Sequence, residues 1–121
     1  MAKRRRATGV VISRGKVLLV KDKGVHRYSL PGGGIKKNEP PISAAAREIY
    51  EETGLSADRI ERIGSFSGGT QDHRVFLISK HHGRAHRKSE IADYRWWDGR
   101  EEILLFDHVN KILGSIPGWS P

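Results

Sequence analysis

Gly33-Gly34-Ile35-Lys36-Lys37-Asn38-Glu39-Pro40-Pro41-Ile42-Ser43-Ala44-Ala45-Ala46-Arg47-Glu48-Ile49-Tyr50-Glu51-Glu52-Thr53-Gly54-Leu55 leads from a glycine-rich loop into an acidic, alanine-rich segment. Proline suits a first helical turn, alanine is the strongest helix former, and glycine fits the position just past a helix end. The spacing therefore predicts a helix over Pro41 to Thr53. Each residue turns a helix by about 100°, which brings Glu48, Glu51 and Glu52 to one face. Ile42, Ala46, Ile49 and Thr53 form a different stripe, expected to pack on a sheet and fix the helix's rotation. Like charges three and four residues apart weaken an isolated helix by about a few tenths of a kcal/mol per pair. A divalent cation offsets that repulsion. Magnesium, which takes oxygen ligands and links one or two carboxylates to substrate phosphates, suits the set. Ala44 and Ala45 are expected beside the acidic face, where small side chains leave room for a metal and its phosphate. A solvated face, with Arg47 paired to Glu51, is the plainer account of the same residues. The preceding glycines favour the metal, because they let backbone groups approach the same face without obstruction.

Outward from this unit, Thr8 to Ser13 and Lys16 to Lys21 read as strands joined by a tight turn at Arg14-Gly15. Tyr28 to Leu30 reads as a short segment, and Pro31-Gly32-Gly33-Gly34 is expected to interrupt regular structure. Beyond the helix, Arg59 to Gly68 and His73 to Lys80 read as strands around a turn at Gly69-Thr70-Gln71-Asp72. Tyr94 to Trp97 reads as another strand, on which Trp96 and Trp97 face opposite sides. Glu101 to Leu113 mixes acidic and apolar residues at helical spacing, predicting a second helix before Gly114. Strands flanking two helices without regular βαβ alternation give an α+β layered sandwich.

A chain of 121 residues suffices for one domain, expected over residues 7–121 behind a basic N-terminal tail at residues 1–6. Hydrophobic residues at 36% and charged residues at 30% exclude a disordered chain. With no cysteine, disulfides, thiolate zinc sites and a cysteine nucleophile are excluded. The longest apolar stretches, Val17 to Val20 and Ile103 to Phe106, fall far short of the ~20 residues that span a bilayer. The start lacks a signal core, so a cytoplasmic location is expected. The net charge of +8 gathers at Lys3, Arg4, Arg5 and Arg6, and at Lys80, Arg84, Arg87 and Lys88 with His81, His82 and His86 in an expected loop. Both clusters suit a polyanion, with solubility and a frayed terminus as the alternative.

Gly33, five residues, Glu39, seven residues, then Arg47-Glu48-Ile49-Tyr50-Glu51-Glu52-Thr53-Gly54-Leu55 resembles the Nudix box, G-x5-E-x7-R-E-U-x-E-E-x-G-U with U apolar, at every position. The strand pair before it, Leu30-Pro31-Gly32-Gly33, and Tyr94-Arg95-Trp96-Trp97 extend the resemblance over nearly the full length. It implies a Nudix-type, MutT-like α/β/α sandwich with a mixed sheet. It also implies magnesium-dependent hydrolysis of a phosphoanhydride bond in a nucleoside diphosphate linked to a group X, such as a nucleoside triphosphate or an ADP-sugar. Manganese is the other metal admitted. By the same resemblance Glu51 and Glu52 are the main metal ligands, joined by Glu48 and the backbone carbonyl of Gly33. Arg47 and Glu39 then orient these carboxylates, and a metal-bound water attacks phosphorus. Glu90, in Lys88-Ser89-Glu90-Ile91, is the candidate general base and Glu52 the fallback. An exposed glutamate paired with a neighbouring cation is the alternative for Glu90.

Arg27, His73 and Arg74 are candidate phosphate contacts, and Tyr28, Phe66 or Phe76 candidate stacking partners for a base. The triple glycine, the Arg47 to Glu52 wording and Gln71-Asp72-His73-Arg74 also resemble Nudix enzymes acting on diphosphoinositol polyphosphates and dinucleoside polyphosphates. A further alternative is a catalytically weak Nudix module that binds RNA or nucleotides through Arg4 to Arg6 and the Lys80 to Lys88 loop. The intact Glu48, Glu51 and Glu52 set argues against it. The resemblance also admits a homodimer.

Overall fold

The central strand, β1 (Arg4–Ser13), is buried on both faces from Ala7 to Val11, the pattern of a strand covered from two sides. The structure, a computed structural model, describes residues 3–86, 88 and 90–119. Elements are numbered along the chain. β1 runs parallel to β5 (Gln71–His82) and antiparallel to β2 (Lys16–Asp22). β4 (Ser56–Gly68) and β6 (Ile91–Trp97) are the outer strands, giving the order β4-β5-β1-β2-β6. The sheet is mixed, as expected.

Alternation along the strands separates two cores. Val10, Val17, Leu19, Val75 and Trp97 face one side, beneath Val109, Ile112 and Leu113 of α2 (Asp107–Leu113). Ala7, Val11, Leu18, Phe76 and Ile78 face the other, beneath Ala44, Ala45 and Ile49 of α1 (Pro41–Thr53). Trp96 packs against this second core, opposite Trp97. Each fully buried aliphatic side chain contributes about 1.5–3 kcal/mol, so the α/β/α layering follows from period-two burial on both faces.

Arg4, Arg5 and Arg6 are strand residues rather than a tail. β5 holds them on one side, in register with Gln71, Asp72 and His73. On the other side lies β3 (Gly32–Gly34), paired with Arg6, Ala7 and Thr8. The glycine run expected to interrupt structure is thus itself a short strand. It finds a free edge because β2 pairs with β1 only at Ile12 and Ser13.

β5 also reaches farther than expected, so His81 and His82 follow Lys80 within it, paired with β4 as far as Ser56. Arg87 lies outside the described residues. The second helix is shorter than Glu101 to Leu113. Leu104 O accepts the Tyr28 N–H at 2.8 Å and the Phe106 N–H donates to Tyr28 O at 3.0 Å, which commits backbone groups that a helix would need. Among the described residues no helix is long and apolar enough to cross a membrane.

α1 keeps its expected bounds. Gly54 closes it at φ 79°, donating to Tyr50 O at 2.9 Å. Its rotation differs from expectation: Ala44, Ala45, Ile49 and Thr53 are buried, whereas Ile42 is 41% exposed. The alanines let the helix lie close on the sheet instead of clearing space for a metal. As a result the Glu48 side chain is 17% exposed and that of Glu51 52% exposed.

Candidate active site

The roll of α1 builds one wall of a cleft of about 350 Å³, lined by Glu48, Glu51 and Glu52, by Asp22 at the end of β2, and by Glu90. Lys23 N–H donates to Glu90 O at 3.1 Å, which ties the segment before β6 to the end of β2. Glu90 therefore faces the same space as the helix carboxylates. Asp22 had no motif to announce it; the only signal was its place as the first acidic residue after the apolar run of β2.

Arg47 organises the acidic wall. Its Nε and one terminal nitrogen grip Glu39 at 2.8 and 2.9 Å, and the same terminal nitrogen donates to Gly34 O at 3.0 Å. The other terminal nitrogen reaches Glu48 at 2.7 Å and Glu51 at 3.3 Å. The Arg47 hydrogen bonds, with the Lys36 N–H, hold the Glu39 carboxyl down at about 2. Glu39 in return raises the Arg47 pKa. Gly33 is required for close approach: a Cβ there would lie 2.6 Å from both Glu48 carboxylate oxygens.

Glu52 is set apart. Its Oε1 accepts the Gly32 N–H at 2.6 Å. Burial pushes its pKa up to about 8, and the charges of Glu48 and Asp22 add to the rise, while the Gly32 N–H and Arg6 oppose it. Such crowding of half-buried carboxylates is what a cation would relieve. Among the described residues no three acidic or imidazole groups form a ready-made cage. Magnesium does not need one, since it retains waters and is completed by substrate phosphates. The all-oxygen donor set fits a hard divalent ion.

A second cleft, of about 430 Å³, lies on the α2 side of the sheet. Arg6, Arg27, His73, His108 and Lys111 line it, together with Phe66 and Phe106, and Asp22 borders both clefts. Arg6 is half-buried, its Nε donating to Thr8 Oγ1 at 3.2 Å and a terminal nitrogen to Leu30 O at 2.8 Å. Burial lowers its pKa, opposed by the nearby Glu52.

Burial also holds His73 and His108 at about 4, helped for His73 by Arg6 and for His108 by His73 and Arg6. The unfolded chain takes up these protons first, near the ordinary histidine value of about 6.5. Their stabilisation is therefore complete above about 6.5 and is lost as pH falls toward 4. Glu52 works oppositely in the metal-free chain, because its raised pKa adds stability as pH falls from 8 toward the ordinary carboxylate value. In a Glu52→Gln variant only the imidazole effect remains in this window. Its urea midpoint should fall between pH 7 and 4.5 by the equivalent of up to about 2 kcal/mol for each of the two imidazoles, and a flat profile would refute the assignment.

Residues 3–117 match the Nudix domain. The chain belongs to the Nudix family. An RNA pyrophosphohydrolase of Bartonella tribocorum is 51% identical over 94 residues, covering 78% of this chain and 39% of the relative. Diphosphoinositol polyphosphate phosphohydrolase 2 of Rattus norvegicus is 37% identical over 51 residues, covering 42% of this chain and 28% of the relative. The chain thus spans less than half the length of either curated relative. A MutT NUDIX hydrolase structure from Burkholderia pseudomallei shares the fold with a TM-score of 0.87 at 21% identity, covering 96% of this chain and 99% of that one.

The Nudix box residues Gly33, Glu39, Arg47, Glu48, Glu51 and Glu52 are brought together around the first cleft or braced against it. Arg27, His73 and Phe66 line the second. Arg74 lines neither cleft: successive strand residues point to opposite faces, and it pairs with Asp72 at 2.9 Å. Tyr28 is buried and donates to Asp93, and Phe76 is buried under α1, so neither is placed to stack on a base. Asp22 and His108 were missed, while Arg6, expected in a basic tail, lines the second cleft from β1, a strand placement hidden because a basic N-terminal run carries no strand periodicity.

Proposed function

We infer that this Nudix domain hydrolyses, with magnesium, a phosphoanhydride bond in a nucleoside diphosphate linked to another group X. The observation that carries this reading is the meeting of two unlike clefts at Asp22, one walled by carboxylates and one by cations and aromatic rings. A phosphate chain bridged to the first by a divalent ion can extend its nucleoside into the second. Glu48, Glu51, Glu52 and the Gly33 carbonyl would hold the ion, which neutralises phosphate oxygens and lowers the pKa of a bound water. Glu90 lines the same cleft as these carboxylates and is the proposed general base, with Glu52 as the fallback. Arg47 fixes Glu48 and Glu51, with Glu39 fixing Arg47 in turn. Arg6, Arg27 and Lys111 would compensate phosphate charge on the α2 side.

A second reading takes X as the body of a 5′-phosphorylated RNA, favoured by the likeness to an RNA pyrophosphohydrolase. The likeness to a diphosphoinositol polyphosphate phosphohydrolase keeps a densely phosphorylated ring in the same frame. A product-resolved screen with nucleoside triphosphates, ADP-ribose, dinucleoside polyphosphates, 5′-triphosphorylated RNA and inositol pyrophosphates separates them. Cleavage at a phosphoanhydride that stops when the metal is chelated is expected. No cleavage of any substrate, alongside tight and salt-dependent RNA binding, would instead support a binding module.

A further inference from the structure

His108 Nε2 is the one buried side-chain nitrogen or oxygen among the described residues that lacks a hydrogen-bond partner. The residue lines the second cleft from α2. Buried polar atoms are normally satisfied, so an orphan beside a cleft invites a partner from outside the chain. Its neighbour His73 has a defined role in hydrogen bonding. Arg6 Nε can only donate, so Thr8 Oγ1 accepts from it at 3.2 Å. Thr8 is fully buried and satisfies its own proton by donating to His73 Nδ1 at 2.8 Å. His73 is thereby left with its proton on Nε2. The two imidazoles lie 4.8 Å apart at 32°, and the Phe106 ring lies 6.0 Å from His108 at 17°. Phe66, opposite His73 in the β4–β5 pairing, lines the same cleft.

We propose that His108, together with His73, is the specificity-determining pair of this cleft, reading the uncharged edge of a nucleobase laid flat against Phe106. The proposal rests on the nucleotide reading given above. Two flat apolar faces and two ring nitrogens match a planar heterocycle with donors and acceptors in its rim. Burial keeps both imidazoles neutral at pH 7, which suits hydrogen bonding to a base and not to a phosphate. A phosphate-studded ring would call for cations in this corner. Arg6, Arg27 and Lys111 line the same cleft and are the groups left to the phosphate chain of the nucleotide.

The test is calorimetric binding of four non-hydrolysable nucleoside triphosphate analogues, of inorganic triphosphate and of an inositol pyrophosphate, all with magnesium. His108→Phe preserves the ring and removes its nitrogens, and His108→Gln restores a hydrogen-bonding edge. In the native chain the four bases should bind unequally. His108→Phe should raise the Kd of the preferred analogue, relative to inorganic triphosphate, by about tenfold, and His108→Gln should recover part of that loss. Unchanged base ranking in both variants would overturn the proposal, as would an equal loss for inorganic triphosphate and all four analogues. Tighter native binding of an inositol pyrophosphate than of any nucleotide would also overturn it. Because binding is read without turnover, an inactive chain that still ranks the bases sinks the hydrolase reading and leaves the pair standing.

Discussion

Glu52→Gln should lower phosphoanhydride turnover by about a thousandfold, equivalent to about 4 kcal/mol of activation free energy, without weakening the fold. Glutamine keeps an oxygen to accept the Gly32 N–H found at 2.6 Å and nearly the same shape. It removes the negative charge with which this residue is proposed to hold a divalent metal. The native carboxyl is held at about 8 chiefly by burial, so folding favours its protonated form and the charged form is a burden in the metal-free chain. The variant should therefore match or exceed the native urea midpoint at pH 8. Steady-state rates and urea midpoints on the same preparation check both halves. Undiminished turnover would mean that the acidic helix face is a solvated surface and nothing more.

Ile49→Ala should destabilise the domain by about 3–4 kcal/mol, a large share of the roughly 5–15 kcal/mol typical of small domains. Ile49 is fully buried between α1 and the sheet. It fills the space above Gly9, where a Cβ would lie 3.1 Å from the Ile49 Cγ1 and from Ile78 Cδ1. Truncation leaves a cavity that the flat sheet cannot collapse to fill. Chemical denaturation should show the drop, with Ile49→Val losing only about 1 kcal/mol. An unchanged midpoint for the alanine variant would show that α1 is held by its other contacts.

The sequence was most readable where one local rule decided the outcome. Pro41, the alanine run and Gly54 bound α1, and alternation assigned Trp96 and Trp97 to opposite cores. The box spacing placed Glu39 and Arg47 close enough to pair. Reading failed where a distant partner decided. Nothing local makes Gly32 to Gly34 a strand; the free edge of β1 does. Ile42 looked like part of the packing stripe, yet Ala44 and Ala45 sit against the sheet because small side chains permit a closer helix. Residues 101 to 106 have helical spacing but give their backbone groups to Tyr28. The same limit hid His108 and Asp22, whose importance depends on what the fold sets beside them.

The parallel register of β1 with β5 has a kinetic consequence. Arg4 pairs with Gln71 and Val11 with Ile78, so beyond its short hairpin with β2 at Ile12 and Ser13 the first strand is held by β5 only after a long loop has closed. Such non-local pairing slows folding, because chain entropy is lost before contacts repay it. Arg6, Thr8 and His73 meet only on that pairing, and β3, which brings Gly32 to Glu52 and Gly33 to Glu48, docks on the opposite edge of the same strand. Both clefts should accordingly mature in one late step, and a nascent chain ending before β5 would carry the complete Nudix box without a working site.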